Sequence, residues 1–130
     1  MKDELLMLLF LCHWIADYTH LSTSWMLSAK RFGKPLIPIF IHACVHVCLM
    51  VTAIKLTMIY HSDFRVDIIY QVALIQLLTH FIIDVWKGRM NGWFPAIQSP
   101  ANKWHWIVFG FDQFLHALVI IFMASLICAK

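Results

Sequence analysis

Polar residues interrupt the apolar stretches of this chain at a repeated interval. Four hydrophobic runs can be drawn, over about residues 4–20, 36–60, 66–86 and 104–129. Each holds a pair of His or Asp residues four positions apart: His13/Asp17, His42/His46, His80/Asp84 and Asp112/His116. Four positions is about one helical turn, so on a helix both members of a pair point the same way, stacked one above the other. Each run approaches or exceeds the roughly 20 residues that cross a bilayer core. The pattern predicts an all-α, polytopic membrane protein: one domain over 1–130, folded as a four-helix transmembrane bundle around a His/Asp-lined polar site. The first run is the shortest, and it counts as a span because its partners supply polar contacts.

The intervening segments carry the punctuation. Residues 21–35 hold Ser22, Thr23 and Ser24, then Trp25-Met26-Leu27 followed by Lys30, Arg31 and Lys34. That order predicts a short amphipathic helix along the membrane interface, with Gly33 and Pro35 marking entry to the second span. The link at 61–65 is short and implies an antiparallel hairpin. Residues 87–103 contain Gly88, Gly92, Pro95 and Pro100 and read as a loop, with Trp93 and Phe94 as interfacial anchors. Pairs one and three sit near the ends of their spans, pairs two and four near the beginnings. In an alternating bundle all four fall toward the loop-bearing face, roughly 5 to 18 Å below it at 1.5 Å per residue. His13-x3-Asp17 is echoed by His80-x3-Asp84, and His42-x3-His46 by Asp112-x3-His116, as two similar hairpins about an axis along the membrane normal would show.

Composition sharpens the class. The chain is 62% hydrophobic and 13% charged, with a mean hydropathy of +0.76, whereas soluble domains run near one-half apolar and one-quarter charged. Three of the seven acidic residues, Asp17, Asp84 and Asp112, belong to the pairs. An ionisable group in hydrocarbon is costly and persists with a partner or a task. The formal net charge of +3 is too small to argue for a nucleic-acid partner. Lys30, Arg31, Lys34, Lys87, Arg89 and Lys103 share one face. Lys2, Asp3, Glu4, Asp63, Arg65 and Lys130 share the other. The positive-inside rule then places the long basic loops in the cytoplasm and both termini outside. Cys12, Cys44, Cys48 and Cys128 lie in apolar segments without a C-x-x-C and read as packing residues. The start, Met1-Lys-Asp-Glu, lacks a basic leader, so no cleavable signal peptide is expected.

His and Asp at i and i+4 on facing helices build metal sites inside bundles. Five His and three Asp suit a divalent transition metal (Zn²⁺, Mn²⁺ or Fe²⁺) over Ca²⁺ or Mg²⁺, which prefer all-oxygen surroundings. The metal ligands are then His13, Asp17, His42, His46, His80, Asp84, Asp112 and His116. Eight groups exceed the needs of one ion, so two ions, or one ion with outer hydrogen-bonding groups, are expected. The reading this favours is a hydrolase. A metal-activated water attacks an ester, amide or phosphoester, and an Asp or His outside the metal's reach acts as base; Asp17, Asp84 and Asp112 are the carboxylates available. Lys87, and after it Lys30, would draw an anionic substrate to the basic rim, such as a lipid or other membrane-associated phosphoester. Gln76 and Lys87 continue the His80/Asp84 face, His20 and His105 extend the first and fourth, and Gln113 stands ready to orient a neighbour. The bland alternative is a structural hydrogen-bond network, with Lys30, Arg31, Lys34 and Lys87 as topology anchors and Lys55 and His61 facing water. A metal-ion or proton transporter would need polar residues across the whole membrane, yet residues 5–11, 50–53 and 118–124 are nearly all apolar. A hydroxylase-like iron site lacks its His-His doublets, and a non-catalytic phage or bacterial membrane factor leaves eight ionisable groups unexplained. Oligomers are compatible with all of these.

These residues carry a resemblance. His13-x3-Asp17, a downstream Lys30, the His42/His46 span, His80-x3-Asp84-x2-Lys87 and Asp112-Gln113-x2-His116 resemble, in order, a family of small bacterial and phage membrane proteins known as domain of unknown function 3307. The resemblance covers most of the chain and implies a bacterial inner-membrane location, with no reaction attached. The family's pattern has a Gln shortly after the first Asp, where this chain has Leu21, Ser22, Thr23 and Ser24. A broader similarity is to membrane-bound metal-dependent hydrolases.

Overall fold

The computed structural model describes residues 2–60, 65 and 67–129. His61, Asp63 and Lys130, to which the sequence assigned places in a hairpin link and on the far face, lie outside the described residues. Among those described there are five α-helices and one 3-10 turn: α1 Lys2–Tyr18, α2 Ser24–Phe32, α3 Leu36–Tyr60, α4 Ile69–Trp93, the turn Pro95–Gln98, and α5 Lys103–Ile127. The class is all-α.

Helices α3, α4 and α5 are each 25 residues and apolar enough to cross a membrane. α1 has 17 residues, about 25 Å of helix, which falls short of a hydrocarbon core of about 30 Å. Of four expected spans, three meet the requirement by length and composition. The outward faces are apolar: Ile37, Leu74, Leu78, Ile82, Phe114 and Leu118 are all exposed. In water a continuous apolar exterior is a liability, and against lipid it is the expected surface.

The four long helices pack as a ring, α1 against α3, α3 against α4, α4 against α5 and α5 back against α1, while the diagonal pairs stay apart. One half of the bundle is apolar. Leu5, Leu9, Met50, Ile54, Val72, Ile120, Met123 and Ile127 form its core. The His/Asp groups fill the other half, the end closed by α2.

α2 forms where the sequence placed an amphipathic helix, and local signals explain its limits. Thr23 caps its start, its hydroxyl accepting from the Met26 N–H. Gly33 ends it in the left-handed conformation at φ 65°, where the Lys34 N–H donates to the Ala29 carbonyl. The helix buries Met26 and Ala29 against α3 and α4.

One boundary differs from expectation. α4 runs on to Trp93 through Gly88 and Gly92, in a stretch read as loop. The cause lies in packing. A Cβ on Gly88 would collide with the backbone of Gly33 and the Lys30 carbonyl, and one on Gly33 would stand 2.7 Å from the Val85 carbonyl oxygen and 2.8 Å from the Arg89 nitrogen. The two glycines let α2 lie directly on α4, and that contact supports a helix that propensity alone disfavours.

Candidate metal centre

Each pair reaches the bundle interior because its helix turns one polar stripe inward. α1 contributes His13 and Asp17, α3 His42 and His46, α4 His80 and Asp84, and α5 Asp112 and His116. Seven of these residues are buried, and the Asp17 side chain is only 6% exposed. All eight side chains meet in one cluster. The imidazole centroids of His46 and His80 lie 3.6 Å apart, those of His80 and His116 4.3 Å, and those of His13 and His46 4.9 Å.

Three overlapping sets bring ligand atoms within 4.8 Å of one another: Asp17/His42/His46/His80, His13/His80/His116 and Asp84/Asp112/His116. Their sharing of His80 and His116 makes one connected cluster of groups that could hold metal. Hydrogen bonds satisfy only part of it. Asp17 Oδ1 lies 2.9 Å from His42 Nε2, and Gln76 Nε2 lies 3.4 Å from His80 Nδ1. Among the described residues, both nitrogens of His13, both oxygens of Asp84, Asp112 Oδ1, His80 Nε2 and His116 Nε2 have no hydrogen-bond partner. Asp84 Oδ2 comes within 3.4 Å of His80 Nε2 without the alignment a bond requires. Buried polar groups left so cost free energy, and the carboxylate oxygens and imidazole lone pairs concentrated among them fit a group that binds lone pairs. Zn²⁺, Mn²⁺ or Fe²⁺ suits this mixed nitrogen and carboxylate set.

Two lysines border the cluster. Lys87 Nζ donates to Asp112 Oδ2 at 2.7 Å and stands over the Phe109 ring. Gln113 donates to the same oxygen at 3.0 Å, as an orienting residue would. Lys30 departs most from the sequence reading, which made it first a topology anchor and only then a substrate-attracting residue of the rim. Its Nζ lies 2.8 Å from Asp17 Oδ1, 3.3 Å from Asp84 Oδ2 and 2.9 Å from His42 Nε2. Burial opposes its charge, but Asp84 and Asp17 outweigh that and hold the ammonium above its ordinary pKa. A signal for this was present: Lys30 follows Met26 by one turn and adjoins Ala29, the two residues α2 buries.

Two residues expected on the rim do other things. His20 is exposed beyond the end of α1. His105 bonds through Nδ1 to the Ile97 carbonyl at 2.8 Å, pinning the 3-10 turn. A second set of bonds joins α2 to that region: Asn91 Nδ2 donates to the Arg31 carbonyl, Arg31 to Gln98 Oε1, and Gln98 Nε2 to the Asn91 carbonyl. Cys12 is buried and Cys48 exposed, and among the described residues no cysteine joins the candidate ligand sets. Beside the cluster, at the α2 end of the bundle, opens a cleft of about 200 Å³, lined from α1, α2, α4 and α5, that reaches Asp17, Lys30 and Lys87.

No curated protein and no solved structure matches the chain. A family model does, over residues 5–130, and its description is "Protein of unknown function (DUF3307)". The match spans nearly the whole chain and its ordered His, Asp and Lys positions, so this protein belongs to the DUF3307 family.

Proposed function

We propose that this protein is a membrane-embedded metal-dependent hydrolase of the bacterial inner membrane. α1 joins the three longer helices as a fourth, short span, its polar end completed by its partners. The basic loops face the cytoplasm and both termini lie outside. His13, Asp17, His42, His46, His80, Asp84, Asp112 and His116 hold one or two divalent transition-metal ions.

The observation that carries this reading is the set of His13, His80, Asp84, Asp112 and His116 atoms that converge without forming hydrogen bonds. A structural hydrogen-bond network would bring them to bonding geometry, whereas His80 and Asp84 stand 3.4 Å apart, His116 and Asp112 3.6 Å, and His116 and Asp84 3.7 Å. A divalent metal supplies Lewis acidity and brings the pKa of water toward neutrality. The chain does the rest. Asp17 borders both cluster and cleft; where it is left outside the metal's ligands, it is the carboxylate placed to accept a proton from an entering water. Gln113 and Lys87 hold Asp112, and Lys87 offers charge to an anionic ester, with a lipid or other membrane-associated phosphoester as substrate. The apolar half below the cluster favours a dead-end site over a transport path.

Elemental analysis of detergent-purified protein tests the reading. Near-stoichiometric transition metal is expected, and His80→Ala should lose it while a folded α-helical spectrum persists. Protein that is folded, active and free of metal would refute it.

A second reading has its own observation. The Lys30 ammonium sits among Asp17, Asp84 and His42, where it serves as an internal counter-ion without any metal. In that case the cluster is structural, and His80→Ala changes stability but no metal content.

A further inference from the structure

We propose that the cleft at the α2 end of the bundle, lined from α1, α2, α4 and α5, is a phosphoryl-binding subsite that seats the headgroup of an anionic amphiphile beside the metal centre; this rests on the hydrolase reading above. The cleft is lined by Lys30, Arg31, Lys87, Asn91 and Gln113, with Asp17 at its inner side. Three cations and two amides against one carboxylate make a donor-rich pocket. Ammonium and guanidinium groups with several N–H donors each are the usual partners of phosphate oxygens.

Lys30 is committed to Asp17, Asp84 and His42, but Lys87 and Arg31 are held in place without being used up. The Lys87 ammonium has three donors and makes one ion pair, to Asp112. Arg31 is fixed at its rim position by Gln98, and Asn91 by the Arg31 carbonyl. Asp17, the carboxylate of the lining, belongs to the cluster, bonded to Lys30 and His42, and Asp112 lies behind Lys87 and Gln113, which both donate to its Oδ2. Metal loading would neutralise Asp17 further, so the phosphoryl group should bind better to loaded protein.

Shape and surroundings specify the ligand. About 200 Å³ is below the roughly 300–1,000 Å³ of pockets that enclose a whole drug-sized molecule. A headgroup fits, and the rest of the ligand must lie outside. Tyr18, Leu27 and Phe109 complete the lining. Tyr18 and Leu27 are about half exposed, which gives an alkyl chain an apolar exit toward the bilayer. A phosphoester with a lipid tail satisfies both halves, and a free phosphate satisfies only the first.

Calorimetric titration of the detergent-purified protein tests this, with dihexanoyl phosphatidic acid, dihexanoyl phosphatidylcholine and inorganic phosphate as probes. Phosphatidic acid should bind about tenfold or more tightly than the zwitterionic lipid, as loss of charge-assisted bonds implies. Arg31→Gln and Lys87→Met should each weaken it several-fold, and Lys87→Arg should restore most of the binding. Inorganic phosphate that competes with equal affinity supports the subsite and assigns it to a soluble ester. Phosphatidic acid bound no better than phosphatidylcholine, or undiminished in both Arg31→Gln and Lys87→Met, overturns the proposal. Metal content measured on the same samples separates the two ideas. Metal without phosphoryl binding defeats the subsite alone, whereas phosphoryl binding by metal-free, folded protein defeats the hydrolase and leaves the cleft.

Discussion

Lys30 and Gly88 are the residues whose behaviour depends most on this arrangement. Lys30 neutralises two carboxylates, Asp17 and Asp84, whose side chains are 6% and 1% exposed. Removing one partner of a buried ion pair is costly because the other charge stays behind. Lys30→Met should therefore destabilise metal-depleted protein by about 3 kcal/mol, read as a fall in thermal midpoint in detergent. In metal-loaded protein the fall should be much smaller, since the metal takes over the neutralisation. Equal losses in both states would favour the counter-ion reading. Gly88 makes a different prediction. Its missing Cβ is what admits the Gly33 backbone, so Gly88→Ala should cost about 1–3 kcal/mol through overpacking. Nothing lies within 4 Å of a Cβ at Gly110, and Gly110→Ala should be neutral or stabilising by up to about 1 kcal/mol. The same chemical change should thus lower the thermal midpoint at Gly88 and leave it unchanged or raised at Gly110.

At the scale of elements, α2 decides whether the site is complete. It is short, and a nine-residue helix has little stability of its own. Its cap, its αL glycine and its seat on α4 hold it. Thr23→Ala should cost about 1 kcal/mol and raise amide exchange across 24–32 while leaving the core of α3 protected. The limits of α3, 36–60, match the apolar run in the sequence because hydropathy and the flanking Gly33-Lys34-Pro35 mark the same boundary. The end of α4 was not legible in that way. Gly88 and Gly92 are turn signals by local chemistry, and only the approach of α2 makes Gly88 a helix-packing residue. His105 was misread for a related reason. Helical spacing placed it on the Asp112 face, but at the first turn of α5 it meets the 3-10 turn before it meets the cluster.

Over the whole molecule, the ring of four helices separates a polar half from an apolar one. That division argues for chemistry at one face over passage across the membrane, and proteoliposomes should show no metal-ion uptake that depends on Asp84. The orientation is testable with Lys34→Cys, an exposed position beside α2. In a background without native cysteines it should react with an impermeant maleimide only in inside-out vesicles. Labelling in right-side-out vesicles would reverse the topology.

The sequence by itself determined the all-α class, the place of the three long apolar helices and the pairing of eight His and Asp side chains on helix faces that converge in one cluster. These follow from hydropathy and from the four-residue helical repeat, which are local properties. Lys30 was marked in the sequence only as part of a basic loop and of a family pattern. Its entry into the cluster depends on the angle at which α2 lies on α4, set by the contact of Gly33 with Gly88, two residues far apart in the chain. The cleft likewise draws Lys30 and Arg31 from one helix and Lys87 and Asn91 from another. Such meetings are fixed by packing between elements, so the tertiary structure alone decided them.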